Sequence, residues 1–556
     1  MPLAVQAILP LAVLLGAGVL VRLRPRHRDN GWIACSGTAI AAAMALIELI
    51  RLSPGEHVDV PYLTTFPYAD LAVRLDGLSL AFVSVTLATA ALLMLIRQHN
   101  RGDRRDPWLG WLLTTAAACS LMLAANLLLL YIVLQVLTLA WSGALDERAP
   151  RRRGLRLTLQ IADIGLLLAG ASAIQSVGTA SYSGVPSDTF GIATFWLVLL
   201  PVGARIVALA WGSVTPIAGV TFEPAIAWLA PAAYLLLRLL ALMGGRLPDR
   251  PTAVILFVGA AGAAIVFAGM ALWRRRTAQL MPLLLTAQAA TALALSSGSE
   301  PLLTIASTWM WLSLIPLAGL VSMRVARGSV AEGLTLLQLA MIPGSLAFIG
   351  IWLGGLTLNA RGLVVGVVPI AITVVVCALA TLGKTSLPRK LALDPAAVWA
   401  IALMVFAALP VLAMDPLVIP AAATVRIVPS GTLSLSPLGA NSSFGIYPAA
   451  FVSLIVAGLL AFAGWFAPGH FPLLRGGRRA AAGPGGRKTG APRQKGRRTT
   501  QRERVRTSAA LFWADARERF IALSRESQLR DRGLAWAPMF LWAVLGIAVG
   551  LSLLRP

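Results

Sequence analysis

Apolar residues fill window after window of this chain, and the polar stretches between them are short. A bilayer core takes roughly 20 apolar residues per helix. Sixteen windows of about that length stand out: 3–22, 31–50, 78–96, 108–124, 127–145, 155–175, 193–213, 224–243, 252–272, 278–296, 301–323, 333–356, 363–382, 396–414, 446–467 and 535–554. The pattern predicts an all-α polytopic membrane protein with about sixteen transmembrane helices.

The polar stretches alternate in charge. After spans 1, 3, 5, 9, 11, 13 and 15 the chain reads "RLRPRHRDN", "RQHNRGDRRD", "DERAPRRRGLR", "WRRR", "RVARG", "GKTSLPRK" and "RGGRRA". Even-numbered loops such as "SGSE" carry few basic residues or none. Basic loops stay in the cytoplasm, so this alternation predicts a plasma-membrane protein with both termini outside. Met1 to Val21 has no basic residue before its apolar core and reads as a first span rather than a removable signal.

Two excursions interrupt the rhythm, 51–77 and 415–445, both expected as outside loops rich in Pro, Ser and Thr. A third, 468–534, falls in two parts. Residues 468–499 form a Gly- and Arg-rich linker whose composition cannot build a core. Residues 500–534 include "TSAALFWADARERFIALSRESQLRD", with Phe512, Ala516, Phe520 and Leu523 on one helical face, a basic amphipathic helix suited to a membrane surface. The final span follows within 535–556.

Composition agrees: 58% of residues are hydrophobic, 13% are charged and the mean hydropathy is +0.78. The net charge of +24 would suggest nucleic acid in a soluble protein, but here it sits in short loops, where topology and anionic lipid explain it. Cys35, Cys119 and Cys377 are isolated, and His27, His57, His99 and His470 lie in or beside loops. Neither set has metal-ligand or iron–sulfur spacing, so no cofactor, metal or catalytic residue is expected in this chain.

The informative residues are the few polar ones inside spans. Gln135 lies in mid-span, and Asp163, Arg205, Glu223 and Arg238 are ionisable. A charge in lipid costs at least ~2.5 kcal/mol, so each needs a partner or water. Arg205 with Glu223 is the expected ion pair, bridging spans seven and eight. Asp163 is expected to pack or cap near the cytoplasmic loop, Asp76 to lie at the interface, and Trp309 and Trp311 to be apolar bulk.

Several fragments together resemble the antiporter-like membrane subunits of respiratory complex I (the L, M and N types of NADH:quinone oxidoreductase) and the related multisubunit sodium/proton antiporters. They are "RLDGLSLAFVSVTLATAALLMLI", "NLLLLYIVLQVLTLAWSGAL", "QIADIGLLLAG", "PAAYLLLRLLAL", "TAQAATALALSSG" and "IPGSLAFIGIWLGG", in family order between about residues 70 and 385. The resemblance implies three N-terminal spans (1–107), two inverted five-span repeats (108–245 and 252–383), spans fourteen and fifteen (395–467) and a C-terminal lateral helix. It further implies broken seventh and twelfth spans, near Pro216 and Pro343, since exposed backbone is tolerated at mid-membrane only inside protein or beside water.

In that family protons pass along Glu and Lys side chains. The matching positions here hold Gln135, Val202, Pro224, Ala230, Ser307, Trp311 and Ile351. An amide cannot carry a relay proton near neutral pH, and Arg205, the base nearest the seventh-span position, stays protonated. The resemblance therefore implies a divergent membrane-arm subunit of a proton-translocating NADH:quinone oxidoreductase-like complex with a degenerate channel, partnered by other membrane subunits. The alternatives are a non-conducting structural subunit of an antiporter or hydrogenase-type complex, or an unrelated polytopic transporter.

Overall fold

The structure, a computed structural model, describes residues 3–23, 29–63, 70–99, 108–144, 150–211, 221–274, 276–323, 329–382, 395–429, 431–436, 439–448 and, in part, 451–458. Pro216, most of the fifteenth span and everything expected beyond residue 468 lie outside the described residues.

The expected spans emerge as helices α1 (Leu3–Leu23), α2 (Asn30–Arg51), α3 (Gly77–His99), α4 (Trp108–Met122), α5 (Leu127–Ala144), α6 (Pro150–Val177) and α7 (Ile192–Trp211). Next come a π-helical segment Glu223–Leu229 that runs into α8 (Ala230–Leu242), then α9 (Arg250–Trp273), α10 (Thr277–Leu295) and α11 (Pro301–Ser322). Local chemistry sets their starts. Asp249 accepts from Thr252 N at 2.8 Å ahead of Pro251, and Asn126 Oδ1 accepts from Leu129 N at 2.6 Å. Eight described helices are long and apolar enough to cross a membrane, nine if one bent pair counts as a span.

The twelfth span is broken, as the resemblance implied. It divides into α12 (Val330–Leu339) and α13 (Leu346–Ala360), and the turn between them holds Pro343, Gly344 at φ 95° and Met341 at φ 58°. Ser329 caps α12 through Glu332 N at 3.2 Å, with Glu332 in the reciprocal position. α14 (Val364–Leu382) and α15 (Pro395–Ala408) follow.

Two expectations are corrected here. The fourteenth span does not end at 414 in a loop over 415–445. Past Pro410 the chain bends by 98° into α16 (Val411–Ala413), a π turn Met414–Val418 and α17 (Ile419–Val425). A three-stranded antiparallel sheet follows, β3 (Leu433–Ser436), β4 (Gly439–Ser442) and β5 (Gly445–Tyr447) once numbered after the first hairpin. That hairpin is the second correction: the 51–77 excursion contains β1 (His57–Leu63) and β2 (Leu71–Asp76), paired antiparallel with an irregularity at Pro61/Leu63. The fold is helical with these two small sheets added.

Burial separates centre from rim. α8 and α11 are buried almost throughout, and α11 packs against α3, α8, α10 and α13. α9 buries a stripe through Ala260, Ala264, Phe267 and Ala271 and exposes Val254, Val258 and Val266. A helix that is apolar on its exposed face too belongs in lipid.

Candidate functional site

Two buried ion pairs dominate the described interior. The first begins in the "RLDGLS" stretch. Asp76 is the last residue of β2 and Gly77 the first of α3, so the Asp76 side chain sits over the free N–H groups of the helix. Its Oδ1 accepts from Ser79 N at 2.8 Å, a favourable place for a negative charge. Arg238 reaches across from α8 and donates through Nη1 to Asp76 Oδ2 at 2.6 Å and through Nη2 to Oδ1 at 2.9 Å. It donates again to Ser79 Oγ at 2.8 Å and, through Nε, to Tyr234 Oη at 3.0 Å. Burial drives the Asp76 carboxyl up, but the charge and hydrogen bonds of Arg238, the Ser79 amide and the Arg74 charge outweigh it. The carboxyl ends below its ordinary value.

The hairpin supplies a second layer. Arg74 on β2 holds Asp59 on β1 through two bonds of 2.6 and 2.7 Å. The other edge of β2 bonds to the 123–125 segment, through Arg74 N to Leu123 O, and Tyr182 N bonds to Ala125 O in turn. This places the Tyr182 ring between two guanidinium groups, with Arg74 5.5 Å and Arg238 5.3 Å from its centroid. A cleft of about 270 Å³ opens here, lined by His57, Arg74, Asp76, Tyr182, Ser187 and Arg238 among others. The Tyr182 hydroxyl is buried and has no partner among the described residues; burial first, then Tyr234, raise its pKa, so it stays protonated.

The second pair lies deep. Arg205 on α7 donates to Asp163 on α6 at 2.6 and 3.1 Å and to Pro201 O at 3.2 Å, and both side chains are 1% exposed or less. Each lies 13 or 14 residues from the loop that joins α6 to α7, about 20 Å along a helix. Pro201 explains the close approach of the two helices. It has no N–H for the Leu197 carbonyl, and Gly165 packs directly on that carbonyl because it carries no Cβ.

The expected Arg205–Glu223 pair is therefore corrected: Asp163 takes the guanidinium. Glu223 is buried at the start of the π segment, 2% exposed. Asp76, expected at an interface, is buried beneath the hairpin. Gln135 is half-buried on α5, between the exposed Ile132, Val136 and Leu139 and the buried Leu134, Leu137 and Thr138. Val202, Ala230, Ser307, Trp311 and Ile351 are buried. None of them titrates. The four lysines of the sequence, Lys384, Lys390, Lys488 and Lys495, all fall outside these helices.

At the α12–α13 break the polar groups are neutral. Gln338 Oε1 accepts from Leu346 N at 2.8 Å, and its own carbonyl accepts from Gln288 Nε2 at 3.2 Å. Trp309 Nε1 donates to Leu346 O at 2.8 Å, and Trp311 Nε1 to Ser296 Oγ at 3.0 Å, so both indoles are buried and hydrogen-bonded rather than mere bulk. Tyr234, four residues before Arg238 on one helix face, could have been found from spacing. Arg74, Asp59 and Tyr182 could not, because their contacts depend on the hairpin.

No protein-family model matches the chain, and no curated protein matches it in sequence. Solved structures do match in fold. A chain of the Mrp complex from Dietzia sp. DQ12-45-1b is 18% identical with a TM-score of 0.61, covering 100% of this chain; this chain spans only 63% of that one. A chain of the membrane-bound sulfane sulfur reductase, an archaeal respiratory membrane complex, is 17% identical with a TM-score of 0.65 over 98% of this chain and 100% of that one. A chain of respiratory complex I from Thermus thermophilus is 19% identical with a TM-score of 0.55, over 74% of this chain and 100% of that one. The chain therefore has the multi-pass membrane fold of the antiporter-like subunits found in complex I and its relatives.

Proposed function

We propose that this chain is a membrane-arm subunit of a proton-translocating, NADH:quinone oxidoreductase-like complex, and that its own ion channel has degenerated. The observation that carries the reading is the clamping of Arg205 and Arg238, both buried within the described helices. A relay needs groups that change charge near neutral pH. Arg205 and Arg238 do not, and each is held by two bonds to an aspartate. The positions that match the family's relay hold amide, hydroxyl, indole or aliphatic groups.

On this reading the fold is kept for docking other membrane subunits, and any redox cofactor belongs to those partners. The chain sits in the plasma membrane with both termini outside. A second reading, a non-conducting subunit of an antiporter-type or sulfur-reducing assembly, is favoured by coverage. The Mrp and sulfane sulfur reductase chains match 100% and 98% of this chain, the complex I chain 74%.

The test uses the intact assembly purified through this chain and reconstituted in vesicles. The double variant Asp163→Leu/Arg205→Leu removes the deep pair without leaving a lone charge. Proton uptake per turnover is expected to stay at the wild-type level. A clear loss in a fully assembled double variant would overturn the reading, and the identity of the co-purified subunits separates the two assemblies.

A further inference from the structure

Three elements wall the cleft beside the β1–β2 hairpin. Directly opposite residues on antiparallel strands share a face, and so do residues two apart on one strand. The register sets His57 opposite Asp76 and Asp59 opposite Arg74, so one face of the hairpin carries all four. The 182–187 loop brings Tyr182, Val185 and Ser187, and the end of α8 brings Ala241, Leu242 and Gly244. Gly244, at φ 64°, lets the last two walls meet: a Cβ there would stand 3.7 Å from Ser187 Cβ.

The acceptors in these walls are taken. Asp76 receives bonds from Ser79 N and from both terminal nitrogens of Arg238. Thr424 Oγ1 accepts from Leu78 N and donates to Pro420 O. The Leu239, Leu240 and Ala241 carbonyls are bonded by the amides of Met243, Gly245 and Gly244. Donors are left over. Arg74 spends Nε and Nη2 on Asp59, and Nη1 stays outside that fork. It is not sealed in, for the Arg74 side chain lines the cleft and is 9% exposed. His57 and Ser187, both exposed, add an imidazole and a hydroxyl.

A wall with spare donors and engaged acceptors suits a ligand that brings acceptors. Size limits it further. The cleft's volume of about 270 Å³ equals roughly nine waters at ~30 Å³ each, below the ~300 Å³ at which drug-sized pockets begin. Val185, Ala241 and Leu242 add apolar surface that an inorganic anion would not use.

We propose that this cleft binds a small organic carboxylate. Its oxygens accept from Arg74 Nη1, His57 and Ser187, and its hydrocarbon part lies against Val185, Ala241 and Leu242. Asp59 holds the Arg74 guanidinium ready, so little ordering is needed on binding.

The test is the thermal unfolding midpoint of the full chain in neutral detergent, titrated with butyrate, butyramide or inorganic phosphate at constant ionic strength. A ligand that binds only the folded chain raises the midpoint as its concentration grows. Butyrate is expected to raise it, phosphate to raise it less, and the uncharged butyramide not at all. Asp59→Asn/Arg74→Gln removes the fork without leaving a lone charge. It is expected to need about tenfold more butyrate for the same shift. Arg250→Gln, at an exposed arginine that opens α9, is expected to respond as wild type does. Equal shifts with butyrate and butyramide overturn the proposal, as does a larger shift with phosphate or an unaffected double variant. A response lost in Arg250→Gln as well would show diffuse surface charge and overturn it too. If the double variant does not fold, Ser187→Ala, at an exposed hydroxyl, should still weaken the butyrate response severalfold, and an unchanged response then overturns the proposal.

Discussion

Among the described residues the ion-pair partner of Arg205 is Asp163, and that of Asp163 is Arg205. Removing either leaves a bare charge at depth, which costs about 3–5 kcal/mol for a buried pair. Asp163→Ala is therefore expected to lower stability by that amount in thermal or denaturant unfolding in detergent. Asp163→Leu/Arg205→Leu should recover most of the loss, since two apolar side chains suit the site. A double variant no more stable than the single would sink this account. The sequence shows both residues but not their pairing. Glu223 is the nearer carboxylate along the chain, 18 residues from Arg205 against 42 for Asp163. What decides is helix phase: Gly165 and Pro201 bring α6 and α7 together with these two side chains facing. The small residue and the proline are visible in the sequence, but their juxtaposition is not.

Asp76 makes a prediction of the same scale with a pH sign. Its folded pKa lies below the ordinary value, so the stability it contributes is fully present above the unfolded value of about 4. That contribution is lost as pH falls through the lower folded value. Melting temperature is expected to decline in acid more steeply for wild type than for Asp76→Asn, whose side chain cannot titrate. Parallel acid limbs would refute the assignment.

At the scale of elements, the break in the twelfth span was more legible than the sheets. Pro343 with Gly344 announces the interruption between α12 and α13, because proline removes a donor and glycine admits a positive φ. What the sequence hides is how the break is held. Gln338 accepts the first amide of α13, so Gln338→Leu should leave that N–H buried and unsatisfied, at a cost of about 1–3 kcal/mol. Gly165→Ala should cost a similar ~1–3 kcal/mol, because its Cβ would meet the Leu197 carbonyl. Both are read from unfolding midpoints, and a Gly165→Ala variant as stable as wild type would show that the helices can separate freely. The hairpin escaped notice because its strands, "HVDVPYL" and "LAVRLD", are short alternations inside a proline-containing polar excursion. The helix beyond Ala408 escaped for a different reason. Asp415 reads as the end of a span, but it is exposed, and one exposed charge does not stop a helix that bends by 98°.

At the scale of the whole molecule the question is whether these helices can conduct at all. Proton transfer across a bilayer needs a series of groups that change charge near neutral pH, or water linking them. The described helices carry no lysine, and their deep cation is an arginine fixed on an aspartate. The break at α12–α13 is closed by Gln338, Gln288 and Trp309, which are neutral at every working pH. Liposomes containing the full chain alone should therefore hold an imposed pH gradient as long as empty liposomes, and do so equally whether the outer pH is set at about 6 or about 8, since an arginine does not titrate in that range. Reintroducing one acid at Gln135→Glu should not open a path. A carboxyl half-buried among Leu134, Leu137 and Thr138 has no base among the matched relay positions to exchange with. Gradient decay faster than in empty liposomes, blocked by substituting Asp163 and Arg205 together, would mean that the deep pair conducts after all.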